Sequence, residues 1–496
     1  MTMTMTMTAR AARRLTLLVV LAACSRGIQV PPGVSMTERP VVATENGLLA
    51  GALDPSSGVQ VFRGIPYAAA PVGDLRWRAP VRAFDWTGIR PAAQFGKNCM
   101  QDQIYSDIDP FAAGVSEDCL YLNVWTSFTD ANAKKPVMVW IHGGGYTAGF
   151  GGEERHNGAR LAQKGAVVVT VNYRLGVFGF MAHPALAAEA GGASGNYAIM
   201  DQVAALEWVR RNIARFGGDP GRVTIFGESA GGSSVGALIA TPLAKGLFRN
   251  GILQSGNAIG GARARSDVFA ESVRFAEVLG VSGTGADAAA KLRAVPADSL
   301  QRATRKSDGK GGFTQVYFTR LVRDGRVLPT SVDSALARGS ANLVPVIIGA
   351  TGNEGDGAYA TARSFARLTT AQGKNAYVYL FTRVGDDSVN RRRGAYHSSD
   401  ITFTFGRPHP ILESAGRTAY DSTLADAMTD YFVAFATTGD PNGLPNAGRQ
   451  PKWPLYEPAT DPYMELGPQV AARSALRRAV YDSLDVVGRR RGEVRP

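Results

Sequence analysis

Long apolar runs bounded by glycine recur through the middle of the chain. They read "PVMVWIHGGG", "GAVVVTVNY", "RVTIFGES", "NGILQSG" and "VPVIIGATG". A continuous apolar run of this length is typical of a strand that is covered on both faces, as in a parallel sheet. The pattern therefore predicts buried parallel strands at the centre of the fold.

Helical patterns lie between these runs, above all in "NYAIMDQVAALEWVRRNIARFGGDP". Nearer the beginning, "VVATENGLLAGALDPSSGVQVFRGIPYA" gives short β-like runs broken by turn residues, which predicts an antiparallel start. Strands that alternate with helices favour an α/β fold, with a mostly parallel sheet and helices on both faces.

The chain has 496 residues, of which 45% are hydrophobic, so it can bury a large core. We see no repeat of solenoid period and no long linker, which favours one α/β domain over residues 41–472. A proline- and glycine-rich spacer over residues 24–40 precedes this domain, and an arginine-rich tail over residues 473–496 follows it.

The first segment indicates export. A stretch with three arginines precedes an apolar run from Leu15 to Ala23, which is too short to span a bilayer and is typical of a signal peptide over residues 1–23. The following Cys24 completes a Leu-Ala-Ala-Cys ending that resembles the lipobox of bacterial lipoprotein precursors, which implies a lipidated, membrane-anchored envelope protein. Ordinary cleavage near Ala23, with secretion, and a start assigned too far upstream are the alternatives.

The net charge is +12, from 54 lysines and arginines against 42 aspartates and glutamates. Part of the excess lies in the final tail, which carries seven arginines and three acids. Basic patches can bind nucleic acid or acidic lipid, but neither aromatic interleaving nor a nucleic-acid motif accompanies this one. We therefore predict a frayed, solvated tail and no nucleic-acid partner.

The chain contains three cysteines. If Cys24 carries the lipid, Cys99 and Cys119 remain, and export into an oxidising compartment favours a disulfide between them over two free buried thiols. Cysteines and histidines do not cluster at ligand spacing, so we expect neither a metal nor a cofactor.

The segment "RVTIFGESAGGSSVGALIA" places a Gly-x-Ser-x-Gly turn between a strand and a helix rich in small residues. This context predicts a nucleophile elbow, with Ser229 held in a strained turn that the glycines at 227 and 231 permit. The N–H of Ala230, at the helix N-terminus, would face a developing oxyanion. A plain glycine turn with Ser229 as a helix cap is the alternative.

The segment "WIHGGGYTAG" follows an earlier strand and exposes backbone N–H groups at three consecutive glycines. With Ala230, Gly144 and Gly145 would complete an oxyanion hole, since ester hydrolases use such a motif in this way. Alone, the run could be a tight turn. We expect His142 to shape this loop.

A serine nucleophile needs a base, and the base needs an orienting acid. Three of the five histidines precede Ser229, and the usual order for this fold is serine, acid, histidine, which leaves His397 and His409. His397 lies in a polar loop before an apolar run, and His409 lies between prolines, so we favour His397. The turn in "GATGNEGDG" offers two acids, Glu354 and Asp356, and the pattern alone does not choose between them.

Several longer motifs lie between about Val41 and Tyr456, namely "EDCLYLNVW", "WIHGGGY", "VNYRLGVFGF", "GDPGRVTIFGESAGG", "GAYHSSDITFTFG" and "TTGDPNG". Together they resemble the type-B carboxylesterase family, which includes the cholinesterases. The resemblance implies an α/β-hydrolase fold and an acyl-enzyme mechanism with a Ser-Glu-His triad. It favours Glu354, because the family carries its acid in an Asp-Glu-Gly turn, although this chain has Asn353 in place of the aspartate.

The resemblance also implies three supporting features. These are a disulfide between Cys99 and Cys119, a buried ion pair between Arg76 and Glu117, and a hydrogen bond from Ser255 that supports the triad.

Two departures from the family bear on substrate. Only 43 residues separate Glu354 from His397, so part of the wall that encloses the site in longer relatives should be missing and the pocket wider. The loop between Cys99 and Cys119 contains no tryptophan, so choline esters are not expected as preferred substrates. We predict a serine carboxylic ester hydrolase for small or medium esters. A lipase or amidase on the same fold, or a non-catalytic binding module, are the alternatives.

Overall fold

The computed structural model describes residues 40–109, 113–128, 130–307, 313–315, 318–406 and 418–491. The predicted signal peptide, Cys24 and the alternative base His409 lie outside these ranges.

The strands are numbered in chain order. They are β1 (Val41–Thr44), β2 (Gly47–Ala50), β3 (Ala52–Asp54), β4 (Val59–Pro66), β5 (Ile89–Pro91), β6 (Asn98–Cys99), β7 (Val115–Ser116), β8 (Tyr121–Thr126), β9 (Lys135–Ile141), β10 (Val167–Val171), β11 (Gly218–Glu228), β12 (Asn250–Gln254), β13 (Arg263–Ala264), β14 (Arg305–Ser307), β15 (Phe313–Gln315), β16 (Val322–Arg323), β17 (Val346–Thr351), β18 (Ala376–Phe381), β19 (Pro462–Leu466) and β20 (Ala471–Ser474).

The α-helices are numbered in the same way within the described ranges. They are α1 (Ala159–Gln163), α2 (Gly176–Phe180), α3 (Pro184–Glu189), α4 (Tyr197–Asn212), α5 (Ala230–Ala240), α6 (Arg265–Val278), α7 (Ala286–Ala294), α8 (Ala297–Ala303), α9 (Val332–Ala337), α10 (Asp356–Ala371), α11 (Ser388–Arg393), α12 (Ile401–Thr404), α13 (Asp421–Thr438) and α14 (Arg478–Arg491).

One large sheet organises the molecule, with the order β20-β19-β18-β17-β12-β11-β9-β10-β8-β4-β3. The pairs from β10 through β9, β11, β12, β17 and β18 to β19 are all parallel. The strands beyond them at both ends pair antiparallel. The predicted mostly parallel sheet is confirmed, and its parallel strands bring their carboxyl ends to one edge.

Strand β9 illustrates why this sheet is buried on both faces. Its side chains alternate, so that Val137, Val139 and Ile141 join one apolar core and Met138 and Trp140 join the other. All five are at most 1% exposed. Burying an aliphatic side chain of this size stabilises a fold by roughly 1.5–3 kcal/mol, which explains the continuous apolar run in the sequence.

The beginning of the described chain is antiparallel, as the turn-rich sequence predicts. Strands β1 and β2 form a hairpin, and β3, β4 and β8 extend the large sheet in antiparallel order. Strand β5 joins β2 in parallel, a pairing that the sequence does not predict. Strands β1, β2 and β5 therefore make a small sheet that is separate from the large one.

The prediction of a frayed tail is wrong for the beginning of residues 473–496. Strand β20 pairs with β19, and Tyr481 of α14 is 5% exposed, with its ring 5.1 Å from that of Tyr359. Asp482 accepts a hydrogen bond at 3.0 Å from the buried guanidinium of Arg363. A buried cation needs carboxylate partners, which ties α14 to α10. None of the helices in the described ranges is long and apolar enough to cross a membrane.

The disulfide and the ion pair that the family resemblance implies are both present. Cys99 and Cys119 are joined at an S–S distance of 2.07 Å. The Arg76 guanidinium donates to both carboxylate oxygens of Glu117, at 2.6 and 2.5 Å, and also to the carbonyl of Val295. Such a two-bond fork fixes the geometry of both side chains.

Candidate active site

Ser229 occupies the tight turn between β11 and α5, at the carboxyl edge of the sheet. Its backbone has φ 57° and ψ −118°, a region that side-chain-bearing residues rarely adopt, and its N–H donates to the Gln254 carbonyl at 2.8 Å. A Cβ added at Gly227 would lie 2.6 Å from the Ile141 carbonyl oxygen, and one at Gly231 would collide with the same atom. Both flanking positions therefore require glycine.

The structure brings three of the predicted residues into one chain of hydrogen bonds. His397 Nε2 lies 2.8 Å from Ser229 Oγ, and His397 Nδ1 lies 2.8 Å from Glu354 Oε1. The Glu354 side chain is 7% exposed and accepts a second hydrogen bond at 2.8 Å from the Thr351 hydroxyl. A hydroxyl bonded to an imidazole that is held by a buried carboxylate is the geometry of an activated nucleophile.

The second acid of the same turn points elsewhere. Asp356 is the first residue of α10, and its carboxylate forms an ion pair with Arg477, just before α14. The two acids are therefore separated by the start of a helix. Of these two acids, only Glu354 contacts His397.

The turn that carries Glu354 is bonded directly to the loop that carries His397. Asn353 donates its backbone N–H to the Ala395 carbonyl at 2.9 Å, and its side-chain amide donates to the Arg393 carbonyl at 2.5 Å. An aspartate cannot donate this second hydrogen bond. The departure from the family's Asp-Glu-Gly turn thus has a structural role here.

A further carboxyl group lies beside the histidine, and sequence reasoning missed it. Glu228 Oε1 is 3.2 Å from His397 Nε2 and accepts a hydrogen bond at 3.0 Å from the Ser398 hydroxyl. Its side chain is 2% exposed. Its position immediately before the elbow serine, on the last residue of β11, was the signal that could have found it.

The two groups shift each other's protonation. Burial raises the pKa of Glu228 to about 8, an effect that the nearby His397 opposes and Asp400 reinforces. Burial lowers the pKa of His397, but the hydrogen bond that the ring donates to Glu354 and the charge of Glu228 outweigh it and raise that pKa to about 9. The surroundings therefore stabilise a positive charge on the imidazole.

A buried network lies beneath the elbow. Gln254 donates at 2.9 Å to Asp400 and at 2.9 Å to the Thr404 hydroxyl, and the Tyr379 hydroxyl donates at 2.9 Å to Asp400. Since Gln254 also accepts the Ser229 N–H, this network connects the serine turn with the chain that follows the histidine.

The predicted oxyanion donors have no partners among the described residues. The backbone N–H groups of Gly144, Gly145 and Ala230 make no hydrogen bond there, whereas the N–H of Ser229 donates to Gln254. Gly144 has φ 97°, and a Cβ at this position would collide with the carbonyl of Ala148. Glycine thus permits a turn that leaves backbone donors free beside the serine.

His142 is buried and belongs to this loop, as the sequence predicts. Its Nδ1 lies 2.9 Å from the Gly143 carbonyl, and its ring stacks on Tyr173 with centroids 4.3 Å apart. Burial lowers its pKa to about 4. The ring is therefore neutral at ordinary pH and shapes the loop.

Ser255 does not make the hydrogen bond that the resemblance implies. Its hydroxyl is buried and has no partner among the described residues, whereas its backbone N–H donates to Gly349 at 2.9 Å. Thr351 instead supplies the hydroxyl that bonds Glu354.

An open cleft of about 260 Å³ adjoins the elbow. Its lining includes Gly145, Tyr146, Ser229 and Ala230 from the elbow region and Thr319, Arg320 and Leu321 from a later segment. The His397 side chain is 48% exposed, so the chain of hydrogen bonds is reachable from solvent. A pocket with these dimensions fits a small molecule.

Comparison with known proteins identifies the family. The carboxylesterase family model matches residues 38–363 and 357–483. A fumonisin B1 esterase of Sphingopyxis macrogoltabida is 34% identical over 511 residues, which cover 91% of each chain. A para-nitrobenzyl esterase of Bacillus subtilis is 41% identical over 319 residues, which cover 64% of this chain and 63% of that protein.

Solved structures of other esterases have a similar fold. A thermophilic PNB esterase superposes with a TM-score of 0.78 at 29% identity, covering 90% of this chain and 99% of the other. A carboxylesterase of Geobacillus stearothermophilus gives 0.75 at 32% identity, with coverage of 89% and 99%. The resemblance read from the motifs and the predicted α/β-hydrolase fold are thereby confirmed. The chain therefore belongs to the carboxylesterase family and is a carboxylic ester hydrolase.

Proposed function

We propose that the protein hydrolyses small or medium esters through an acyl-enzyme formed on Ser229, with His397 as general base and acid and Glu354 as the orienting carboxylate. The observation that carries this proposal is the unbroken pair of 2.8 Å contacts from Ser229 Oγ to His397 and from His397 to Glu354. A serine hydroxyl is a weak nucleophile without such a base.

In the first half of the reaction, His397 Nε2 takes the Ser229 proton as Oγ attacks the ester carbonyl. The carbonyl oxygen becomes negative, and the free N–H groups of Gly144, Gly145 and Ala230 donate to it. The imidazolium then gives its proton to the leaving alcohol as the carbon–oxygen bond breaks. This leaves the acyl group esterified to the serine.

In the second half, the neutral imidazole takes a proton from water, which attacks the acyl-enzyme. The same donors stabilise the second oxyanion, and His397 returns the proton to Ser229 as the carboxylic acid departs. Glu354 fixes the tautomer through Nδ1, so that Nε2 is free to accept a proton from either nucleophile. Where the pH exceeds its raised pKa of about 8, Glu228 adds negative charge beside the ring when the ring becomes positive.

The proposed substrate range rests on the cleft. Its open form and its volume of about 260 Å³ suit an acyl group of small or medium size. The PNB and fumonisin B1 esterases are named for different esters, so the relatives alone do not choose a substrate.

Rates on 4-nitrophenyl acetate, butyrate and palmitate test the proposal, with Ser229→Ala as the central variant. We expect turnover of the two shorter esters and a loss of at least about a thousandfold in that variant. Ser266→Ala, in the first turn of α6, is a matched control because its hydroxyl is exposed, bonds Asp267 and lies outside the cleft. Activity confined to palmitate above its solubility limit would assign a lipase, and retained turnover in Ser229→Ala would overturn the mechanism.

We further infer that the protein is exported and anchored through Cys24. The basic stretch, the apolar run and the Leu-Ala-Ala-Cys ending support this inference, and the disulfide between Cys99 and Cys119 suits an oxidising compartment. Cys24→Ser should move the protein from the membrane fraction to the soluble fraction, since lipid chains would hold it firmly. An unchanged membrane fraction would refute lipidation.

A further inference from the structure

One charged side chain stands out in the cleft beside Ser229. The cleft is lined by glycine, alanine, serine, threonine, leucine and tyrosine, and Arg320 is the only charged residue among its described lining residues. Arg320 is exposed, and none of the described acids forms an ion pair with it. A guanidinium without an ion-pair partner among the described residues can therefore bind a ligand anion.

The carboxylates nearest to Ser229 do not form an ion pair with Arg320. The side chains of Glu228 and Glu354 are 2% and 7% exposed, and both lie against His397. Their charge is directed at the imidazole, beneath the cleft. Arg320 thus faces the substrate space without a competing acid in the described lining.

The chemistry of the proposed reaction indicates which half of the ester occupies this cleft. His397 must protonate the leaving alcohol, so the alcohol lies on the side of the imidazole. Among the described lining residues, none comes from the loop that carries His397, whereas Gly145, Ala230 and Ser233 belong to the oxyanion side and α5. The cleft is therefore the acyl side of the site.

We propose that the cleft selects esters whose acyl group ends in a carboxylate, that is, half-esters of dicarboxylic acids, and that Arg320 is the residue that recognises this carboxylate. The inference rests on the proposed ester hydrolysis at Ser229. A guanidinium matches a carboxylate through two parallel N–H bonds, which gives orientation as well as attraction.

Three exposed arginines shortly before His397 in the chain add positive charge that can attract anions. Arg391, Arg392 and Arg393 end α11 shortly before His397, and all three are exposed. The Arg393 guanidinium lies 4.8 Å from the centre of the Tyr396 ring, next to the histidine. Positive charge around a cleft raises the local concentration of an anionic substrate.

The test compares two esters of equal acyl length, 4-nitrophenyl hexanoate and the mono-4-nitrophenyl ester of adipic acid, with the glutarate and pimelate half-esters as a length series. The readout is the ratio of kcat/KM on the charged ester to kcat/KM on the neutral ester, measured for the full chain. We expect this ratio to fall about fivefold in Arg320→Gln, the size of a well-formed pair at a partly exposed site.

Arg323→Gln is the matched control. It removes the same charge three residues away, but Arg323 lines a separate depression with Arg265 and Phe269. The ratio should stay at the wild-type value in this variant. An equal ratio in wild type and Arg320→Gln, or an equal fall in Arg323→Gln, would overturn the proposed selectivity while leaving ester hydrolysis intact. Absence of turnover on every ester would instead overturn the proposed function, and this inference with it.

A second measurement needs no variant. In the wild-type protein, the charged-to-neutral ratio should fall as sodium chloride is raised from low concentration to about 1 M, because the Debye length shrinks to about 3 Å. Turnover of the neutral ester serves as the internal control. A ratio that does not depend on salt would contradict recognition by an exposed guanidinium.

Discussion

The backbone N–H of Asn353 donates to the carbonyl of Ala395 at 2.9 Å, so the turn that carries Glu354 and the loop that carries His397 are one hydrogen-bonded unit. The side chain of Asn353 adds a second bond between the same two segments, to Arg393. Asn353 and Ala395 both lie outside the helices and strands, and Arg393 is the last residue of α11. The distance between acid and histidine therefore depends on these bonds.

Asn353→Asp should reduce turnover without unfolding the protein. The substitution replaces a donor by a carboxylate that faces the Arg393 carbonyl, which removes one hydrogen bond and adds a repulsive contact, a loss of about 1–3 kcal/mol. We expect kcat on 4-nitrophenyl butyrate to fall about tenfold with KM nearly unchanged, because the acid is displaced from the histidine. Asn353→Ala, which removes only the donor, should show a smaller fall. Equal kcat in all three proteins would show that the bond does not position the acid.

Replacing each acid of the turn by its amide, one at a time, distinguishes the role of Glu354 from that of Asp356. Glu354→Gln keeps the shape but removes the charge that supports the imidazolium, so kcat should fall by about 100 to 10,000 fold. Asp356→Asn removes only an ion pair with Arg477 and should keep kcat within about threefold of wild type. Steady-state rates of the wild type and the two variants on the same ester measure both effects. A severe defect only in Asp356→Asn would mean that the wrong acid is assigned.

Glu228→Gln should move the pH profile of kcat/KM. His397 must be neutral to accept a proton, so activity is present above its pKa and is lost as the pH falls through it. Hydrogen bonding to Glu354 and the charge of Glu228 raise this pKa to about 9 against the effect of burial. Removing one carboxylate should shift the acid limb down by about one pH unit. Glu207→Gln, on the exposed face of α4, is the control. An acid limb at the same pH in the wild type, Glu228→Gln and Glu207→Gln would contradict the coupling between Glu228 and His397.

Removal of the disulfide tests the stability of the segment beside the cleft. Cys99 and Cys119 are 20 residues apart, and the chain-entropy model gives about 3 kcal/mol for closing a loop of this length. The double variant Cys99→Ser with Cys119→Ser should lose about this much unfolding free energy, as measured by urea denaturation of oxidised protein. Reducing agent should bring the wild type to the same value. Equal stability with and without reducing agent would argue against a structural role.

Much of the fold could be predicted because its signals are local. The continuous apolar runs of β9, β10 and β17 report burial on both faces, and the glycines around Ser229 report a turn that no other residue fits. Chain order then restricted the histidines to two. These features predict an α/β sheet with a nucleophile elbow, and the resemblance of the longer motifs implies the α/β-hydrolase fold and the family.

The features that the sequence did not predict depend on contacts between segments that are distant in the chain. Two acids, Glu354 and Asp356, share one turn, and only the start of α10 between them decides which one faces the histidine. The bond from Thr351, rather than Ser255, depends on side-chain direction at the sheet edge. The docking of α14 depends on a buried cation, Arg363, whose burial is invisible in the sequence.

Trapping the acyl-enzyme tests the central claim most directly. Rapid acid quenching of a reaction with 4-nitrophenyl butyrate, followed by digestion and mass spectrometry, should find the butyryl group on the peptide that contains Ser229. One group per active site should appear in the wild type, and Glu354→Gln should form it more slowly. Ser229→Ala should carry none. A butyryl group on any other residue, or undiminished hydrolysis by Ser229→Ala, would contradict the account.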